Sequence, residues 1–233
     1  MKKHKFIILA VLLPILLLSG CVPVSNARTE IAAEQQQEEE TASDPSPAID
    51  DELKKRLDDG KFEYEVDDGS ITITKYTGTA ASVTIPHGVT TIGEGAFGGC
   101  ENLTSVTIPD SVTSIASGPF TFCSKLTEIR VSAGNTHFKS EDGILFTADR
   151  KTLVQVPAGK GLTEYTIPDS VTTIGEGAFG SCTSLTSVTI PESVTTIGRE
   201  AFTFCFSLTS VTIPESVTTI GERAFDNRLT IYG

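Results

Sequence analysis

The chain has no Trp, a single Met and three His, and its 18 Lys and Arg are outnumbered by 30 Asp and Glu over 233 residues. Phosphate-backbone binding needs clustered Lys and Arg, so a net charge of -12 excludes a nucleic-acid partner. Three scattered His, of which His4 lies in the extreme N-terminus, supply neither a metal centre nor a nucleophile–base pair. Long apolar runs are also missing. The longest, residues 6–18, is 13 residues, short of the ~20 that a membrane-spanning helix requires. What is abundant is Thr, present 32 times, a β-branched residue that suits strands. Hydrophobic residues make up 39%, enough for a core over part of the chain.

The N-terminus reads as an address. Lys2, Lys3 and Lys5 precede the apolar run, and Leu18-Ser19-Gly20-Cys21 follows it. A basic start, a short apolar stretch and small residues before a cut describe a secretory signal. The Cys at the cut resembles the lipobox of bacterial lipoproteins. That resemblance implies a signal peptide over residues 1–20, lipid on Cys21 and attachment to a membrane through it. Several acyl chains exceed the marginal hold of a single one. Residues 21–60 then read as an acidic, disordered tether, with 11 acids and four bases between Val22 and Asp59. Within it, Ile49, Leu53 and Leu57 recur every four residues. Such a stripe fits either a short helix over 49–58 capping the next domain or a solvated end of the tether.

The main signal is a repeat. An Ile-Pro step occurs at Ile85, Ile108, Ile167, Ile190 and Ile213, and a Phe at Phe97, Phe120, Phe179, Phe202 and Phe225. Successive members are 23 residues apart, except for one gap of 59. A fixed period of this size means a solenoid, in which a coil too small to bury its own apolar face stacks on its neighbours. Leu185-x-x-Val188-x-Ile190 matches a leucine-rich-repeat strand, and Pro191 ends its ladder. Val194 and Ile197 give a second extended piece, Gly198 turns it, and Ala201-Phe202 with Cys205 forms a compact turn.

The unit Leu-Thr-Ser-Val-Thr-Ile-Pro-x-Ser-Val-Thr-Thr-Ile-Gly-x-x-Ala-Phe-x-x-Cys, seen whole at 185–205, resembles the BspA-like class of leucine-rich repeats. The resemblance covers residues 61–233. It implies a mainly β solenoid of 23-residue coils, with short parallel strands and short helical turns, that acts in adhesion or interaction at a bacterial surface without catalytic residues. Pro119 in place of Ala, Ala116 in place of Gly and Asn227 where Cys is expected depart from the pattern.

Two segments do not repeat. Phe62, Tyr64 and Val66 alternate with charges, Asp67-Asp68-Gly69-Ser70 turns, and Ile71 and Ile73 resume the alternation. This is a β-hairpin placed to cap the first coil. Residues 131–160 form an enlarged unit, with two strands predicted on either side of Asp149-Arg150.

Candidate chemistry is sparse. Cys100, Cys123, Cys182 and Cys205 share one repeat position. A ladder of thiols does not converge on a metal, so buried free thiols are expected, with an inter-coil disulfide as the alternative. The repeated acids after Pro and Gly read as a solvated edge, and no catalytic, metal or cofactor site is assigned. The enlarged unit is locally basic, with Lys125, Arg130, Lys139, Arg150, Lys151 and Lys160. The outward strand positions Ser105, Thr107, Ser187, Thr189, Ser210 and Thr212 are the candidate partner-binding residues, a flat hydroxyl surface suited to an extracellular protein or glycan. The alternative is a passive structural component of the envelope. The last strand is expected to offer an open edge for self-association.

Overall fold

A computed structural model describes residues 49–226 and 228–232. The signal peptide, Cys21 and the tether up to residue 48 lie outside the described residues. No helix among the described residues is long and apolar enough to cross a membrane.

Helix α1 (Asp51–Asp59) opens at Asp50, whose side chain accepts a hydrogen bond from the Glu52 N–H at 3.0 Å, satisfying a donor that has no partner within the helix. Leu57 is fully buried, and Ile49 and Leu53 pack on the same core. The four-residue stripe therefore faces protein rather than solvent. Strands β1 (Phe62–Asp67) and β2 (Ser70–Tyr76) form the predicted antiparallel hairpin. Asp68 and Gly69 both take positive φ, 43° and 79°, as a two-residue hairpin turn of matching twist requires.

The rest is a solenoid of about seven turns. Each coil has three sides. One carries the Ser-Val-Thr strands: β3 (Ser82–Thr84), β5 (Ser105–Ile108), β7 (Glu128–Val131), β11 (Glu164–Thr166), β13 (Ser187–Thr189), β15 (Ser210–Thr212) and β17 (Thr230–Tyr232). A second carries the Thr-Ile strands: β4 (Thr91–Ile92), β6 (Ser114–Ile115), β12 (Thr173–Ile174), β14 (Thr196–Ile197) and β16 (Thr219–Ile220). Pairing is parallel and in register one coil on, as in Val83↔Val106↔Ile129 and Ile174↔Ile197↔Ile220. The cap hairpin joins the second side through β2 and β4, so β3 remains an end strand of the first side.

The third side is a column of tight turns. Successive N–H groups bond three residues back, as in Ala96 to Gly93, Gly98 to Gly95 and Cys100 to Phe97. Two left-handed residues per coil keep this from becoming a helix: Gly95 and Gly99, Gly118 and Phe122, Gly177 and Ser181, Glu200 and Phe204. Turns are tied coil to coil, Phe97 N–H to Pro119 C=O and Phe179 N–H to Ala201 C=O, each at 2.8 Å. The repeat Phe rings stack inside, with centroids 5.2 Å apart for Phe97–Phe120, 4.7 Å for Phe179–Phe202 and 5.1 Å for Phe202–Phe225.

The enlarged unit holds three strands: β8 (Phe138–Glu141), β9 (Ile144–Thr147) and β10 (Thr152–Gln155). They run as an antiparallel meander, and β10 then pairs in parallel with β12. The sequence reading found β9 and β10. It missed β8, because only Phe138 in that strand is apolar and buried. Ile144, Leu145 and Phe146 are all buried. Because successive side chains of a strand point to opposite faces, Leu145 enters a core cluster running back to Leu57, while Ile144 and Phe146 enter a second running on to Ala224. Asn135 fixes the unit to the preceding coil. Its Nδ2 donates to the carbonyls of Pro109 and Val112 at 2.8 and 2.9 Å, and its Oδ1 accepts the N–H groups of His137 and Phe138.

Candidate binding surface

The first side of the solenoid presents two outward rows because alternate residues of each Ser-Val-Thr strand point away from the core. In register, one row runs Ser82, Ser105, Glu128 and the other Thr84, Thr107, Arg130. Further along, Glu164 pairs with Ser187 and Thr166 with Thr189, then Ser210 with Thr230 and Thr212 with Tyr232. The candidate residues thus lie in three separate hydrogen-bonded ladders. Ser105 and Thr107 sit before the enlarged unit, and the other four sit after it, with β15 lying beside β13 without ladder bonds.

Exposure divides them further. Ser187, Thr189, Ser210 and Thr212 are exposed. Thr107 is half-buried and Ser105 is buried, 8% exposed. Ser105 is therefore corrected from an open contact residue to an outward one covered by its row neighbours. Its hydroxyl donates to the Ser82 hydroxyl at 2.9 Å. The next rung carries the long Glu128, ion-paired with Arg130, where other coils have a small residue.

Part of the Thr excess has a structural destination. The Oγ1 of Thr104, Thr127 and Thr186 donates to a backbone carbonyl one coil back at 2.8 to 3.1 Å. Thr195 and Thr218 do the same on the second side at 3.3 Å. These hydroxyls are internal fittings of the ladder. By contrast, Ser187, Thr189, Ser210 and Thr212 make no side-chain hydrogen bond to other described residues. Their donors and acceptors are turned to solvent. Sequence reasoning did not separate the two Thr populations, because both recur every 23 residues.

The basic character of the enlarged unit is largely neutralised in place. Arg130 pairs with Glu128, Lys139 and Arg150 with Glu141, and Lys160 with Asp142. A polar hollow of about 440 Å³ lies here, lined by Thr127, Glu128, Ser140, Asp142, Gly143 and Lys160. Among the described residues no group of three or more His, Cys, Asp or Glu gathers around a metal-sized point.

The four repeat cysteines are free. Cys123 Sγ donates to the Phe97 carbonyl at 3.0 Å and Cys205 Sγ to the Phe179 carbonyl at 3.2 Å, a weak but satisfying bond for a buried thiol. Burial pushes both thiols up to about 12, and raises Cys182 as well. Raised thiols hold little thiolate at neutral pH, and thiolate is the reactive form.

The repeat itself matches the BspA type leucine rich repeat region in six copies, over residues 72–142 and 158–231. The chain belongs to the BspA-type leucine-rich-repeat family. Among solved structures it is similar to a leucine-rich repeat protein from Eubacterium ventriosum, at 25% identity and a TM-score of 0.51, over 72% of this chain and 68% of that one. The pneumococcal vaccine antigen PcpA shares the fold at 23% identity and a TM-score of 0.50, over 65% of this chain and 51% of its own. A leucine rich cell surface protein from Faecalibacterium prausnitzii aligns at 30% identity and a TM-score of 0.46, over 82% of this chain and 55% of its own. The BspA-type chain thus spans about half the length of the last two. No curated protein matches it significantly.

Proposed function

We propose that this BspA-type protein is a binding module outside the cell, held to the envelope by lipid on Cys21, that engages a protein or glycan through its Ser-Val-Thr side. The observation carrying this reading is the contrast between the two hydroxyl populations. Ladder threonines are spent on backbone carbonyls, whereas Ser187, Thr189, Ser210 and Thr212 offer hydroxyls without internal partners. Each can donate and accept, and a repeating flat surface rewards a repeating ligand through avidity. The leucine-rich solenoid is typically a scaffold for binding rather than catalysis, and no turnover is assigned to it. The N-terminal signal and Cys21 in its lipobox-like context support the extracytoplasmic location.

The test is the full chain applied to arrays of extracellular-matrix proteins, host glycans and bacterial surface polymers, beside a variant carrying Ser187→Lys, Thr189→Lys, Ser210→Lys and Thr212→Lys. A saturable signal lost in a variant that still melts cooperatively supports the reading. Silence with an intact fold overturns it in favour of a passive structural envelope protein, and a signal the variant retains overturns the assignment of binding to these hydroxyls. The reading includes self-association at β17, whose Ile231 and Tyr232 are 50% and 57% exposed. A sedimentation profile that stays monomeric to high concentration removes that part alone.

A further inference from the structure

The column of turns carries a feature that the repeat does not call for. The residue two after the repeat Phe is left-handed in the four coils where it is described: Gly99 at φ 73°, Phe122 at 62°, Ser181 at 66° and Phe204 at 59°. Gly suits this conformation, whereas a bulky residue there is an outlier whose persistence needs a reason. Phe122 is 51% exposed, so burial does not supply that reason. The two rings nevertheless meet, with centroids 4.9 Å apart. Their coils flank the one that carries the small Ser181, whose hydroxyl accepts the Phe122 N–H at 3.4 Å. A third ring, Phe206, 57% exposed, stands edge-on to Phe204 at 5.9 Å. Glu101, Ser124 and Thr183 hold the Phe206 position in the other coils. Three phenyl rings thus form one continuous patch on the third side of the solenoid, with Phe122 and Phe206 exposed and Phe204 half-buried between them.

The patch shows what it accepts. The Arg228 guanidinium lies over the Phe206 ring, 5.4 Å from its centroid, oriented by bonds from Nε and Nη2 to Asp226. A cation over a ring face is held by the ring's quadrupole. We infer that Phe122, Phe204 and Phe206 form a docking platform for a basic segment of another polypeptide, whose Arg or Lys side chains seat on the phenyl faces as Arg228 does on Phe206. Charge complementarity selects this occupant. The chain carries -12, which steers basic partners toward it. Sugars fit less well, because the rings themselves offer no hydrogen-bonding group to a hydroxyl-rich ligand. This inference is independent of the hydroxyl rows, since the two surfaces occupy different sides.

The test uses the full chain, a fluorescent peptide of alternating Gly and Arg, and the same peptide with citrulline for Arg, followed by anisotropy at fixed salt. The variant Phe122→Asn, Phe204→Asn, Phe206→Thr places residues that tolerate the backbone at each site. Each exposed cation–π contact contributes about 2- to 5-fold, so the triple variant is expected to lose about tenfold or more for the Arg peptide. Its Tm is expected within about 4 °C of the parent. The single change Phe206→Thr, outside the left-handed positions, provides a second reading if the triple variant misfolds. Replacing all three by Leu keeps an apolar patch without π faces and is expected to lose as much. Unchanged Arg-peptide affinity in the triple variant, full binding by the Leu variant, or equal binding of the citrulline peptide overturns the inference. So does a wild-type dimer that the triple substitution converts to monomer, which assigns the patch to a second copy.

Discussion

The regular coils and the enlarged unit solve the same packing problem differently. A regular coil such as 185–205 buries one Leu, two Val, two Ile, one Ala, one Phe and one Cys, and its Phe ring stacks on that of the neighbouring coil. The enlarged unit has no like neighbour. It buries a strand on both faces instead, Leu145 toward the N-terminal core and Ile144 and Phe146 toward the C-terminal one. The phenyl stack breaks at this point, with Phe120 and Phe179 belonging to different clusters. A solenoid can therefore tolerate an irregular coil if that coil forms a wall shared by both halves rather than a loop bulging from one.

The largest effect that sharpens this contrast is a break in the wall. Phe146→Ala is expected to cost about 3–5 kcal/mol and Leu145→Ala about 2–5 kcal/mol. In a repeat array, stability is a sum of coils and nearest-neighbour interfaces. Native-state hydrogen exchange should therefore show Leu145→Ala lowering protection on both sides of β9. Phe202→Ala, in a regular coil, should act mainly on the C-terminal coils. Loss confined to the N-terminal coils in Leu145→Ala would mean that β9 does not couple the halves.

A smaller effect tests how the irregular unit is attached. Asn135→Ala removes four hydrogen bonds to the preceding coil and its own loop, and about 2 kcal/mol of stability is expected to go with them. Asn135→Asp keeps the acceptor and loses the two donors to the Pro109 and Val112 carbonyls, so it should not restore the parent urea midpoint. A midpoint equal to the parent's in either variant would show that these bonds do not hold the unit.

The smallest effect concerns the regular coils alone. Cys123, Cys182 and Cys205 are buried and held as thiols, while Cys100 is half-exposed at the N-terminal end of the column. Burial raises the Cys100 thiol too, yet its access to reagent is greater. At pH 8, of the four repeat thiols native protein is expected to release at most one to an aromatic disulfide reagent, at Cys100, and all four after unfolding. Each thiol has a folded pKa above its ordinary value, so its reactivity should climb only as pH rises toward that raised value. Rapid native reaction of Cys182 would contradict the buried column.

The repeat was legible because its physics is local and periodic. Ile-Pro, Val-Thr-Thr-Ile-Gly and Ala-Phe recur at the spacing that places them in columns, and the cap hairpin shows through alternation and an Asp-Gly turn. Less was legible at the surface. Ser105 reads like Ser187 and Ser210, yet its fate depends on which residue a neighbouring coil brings beside it, here Glu128. The meeting of Phe122 and Phe204 across the Ser181 coil depends on residues 59 and 23 positions apart sharing one column, which no window of sequence contains.

The sequence by itself determined the coil, its period, its inward residues and the family, because each follows from the order of apolar residues along a single turn. Only the tertiary structure decided which hydroxyls bond internally and which face solvent, which side chains β9 sends to each core, and where three phenyl rings converge. These depend on what stands one coil away, and stacking, not sequence order, sets that neighbour.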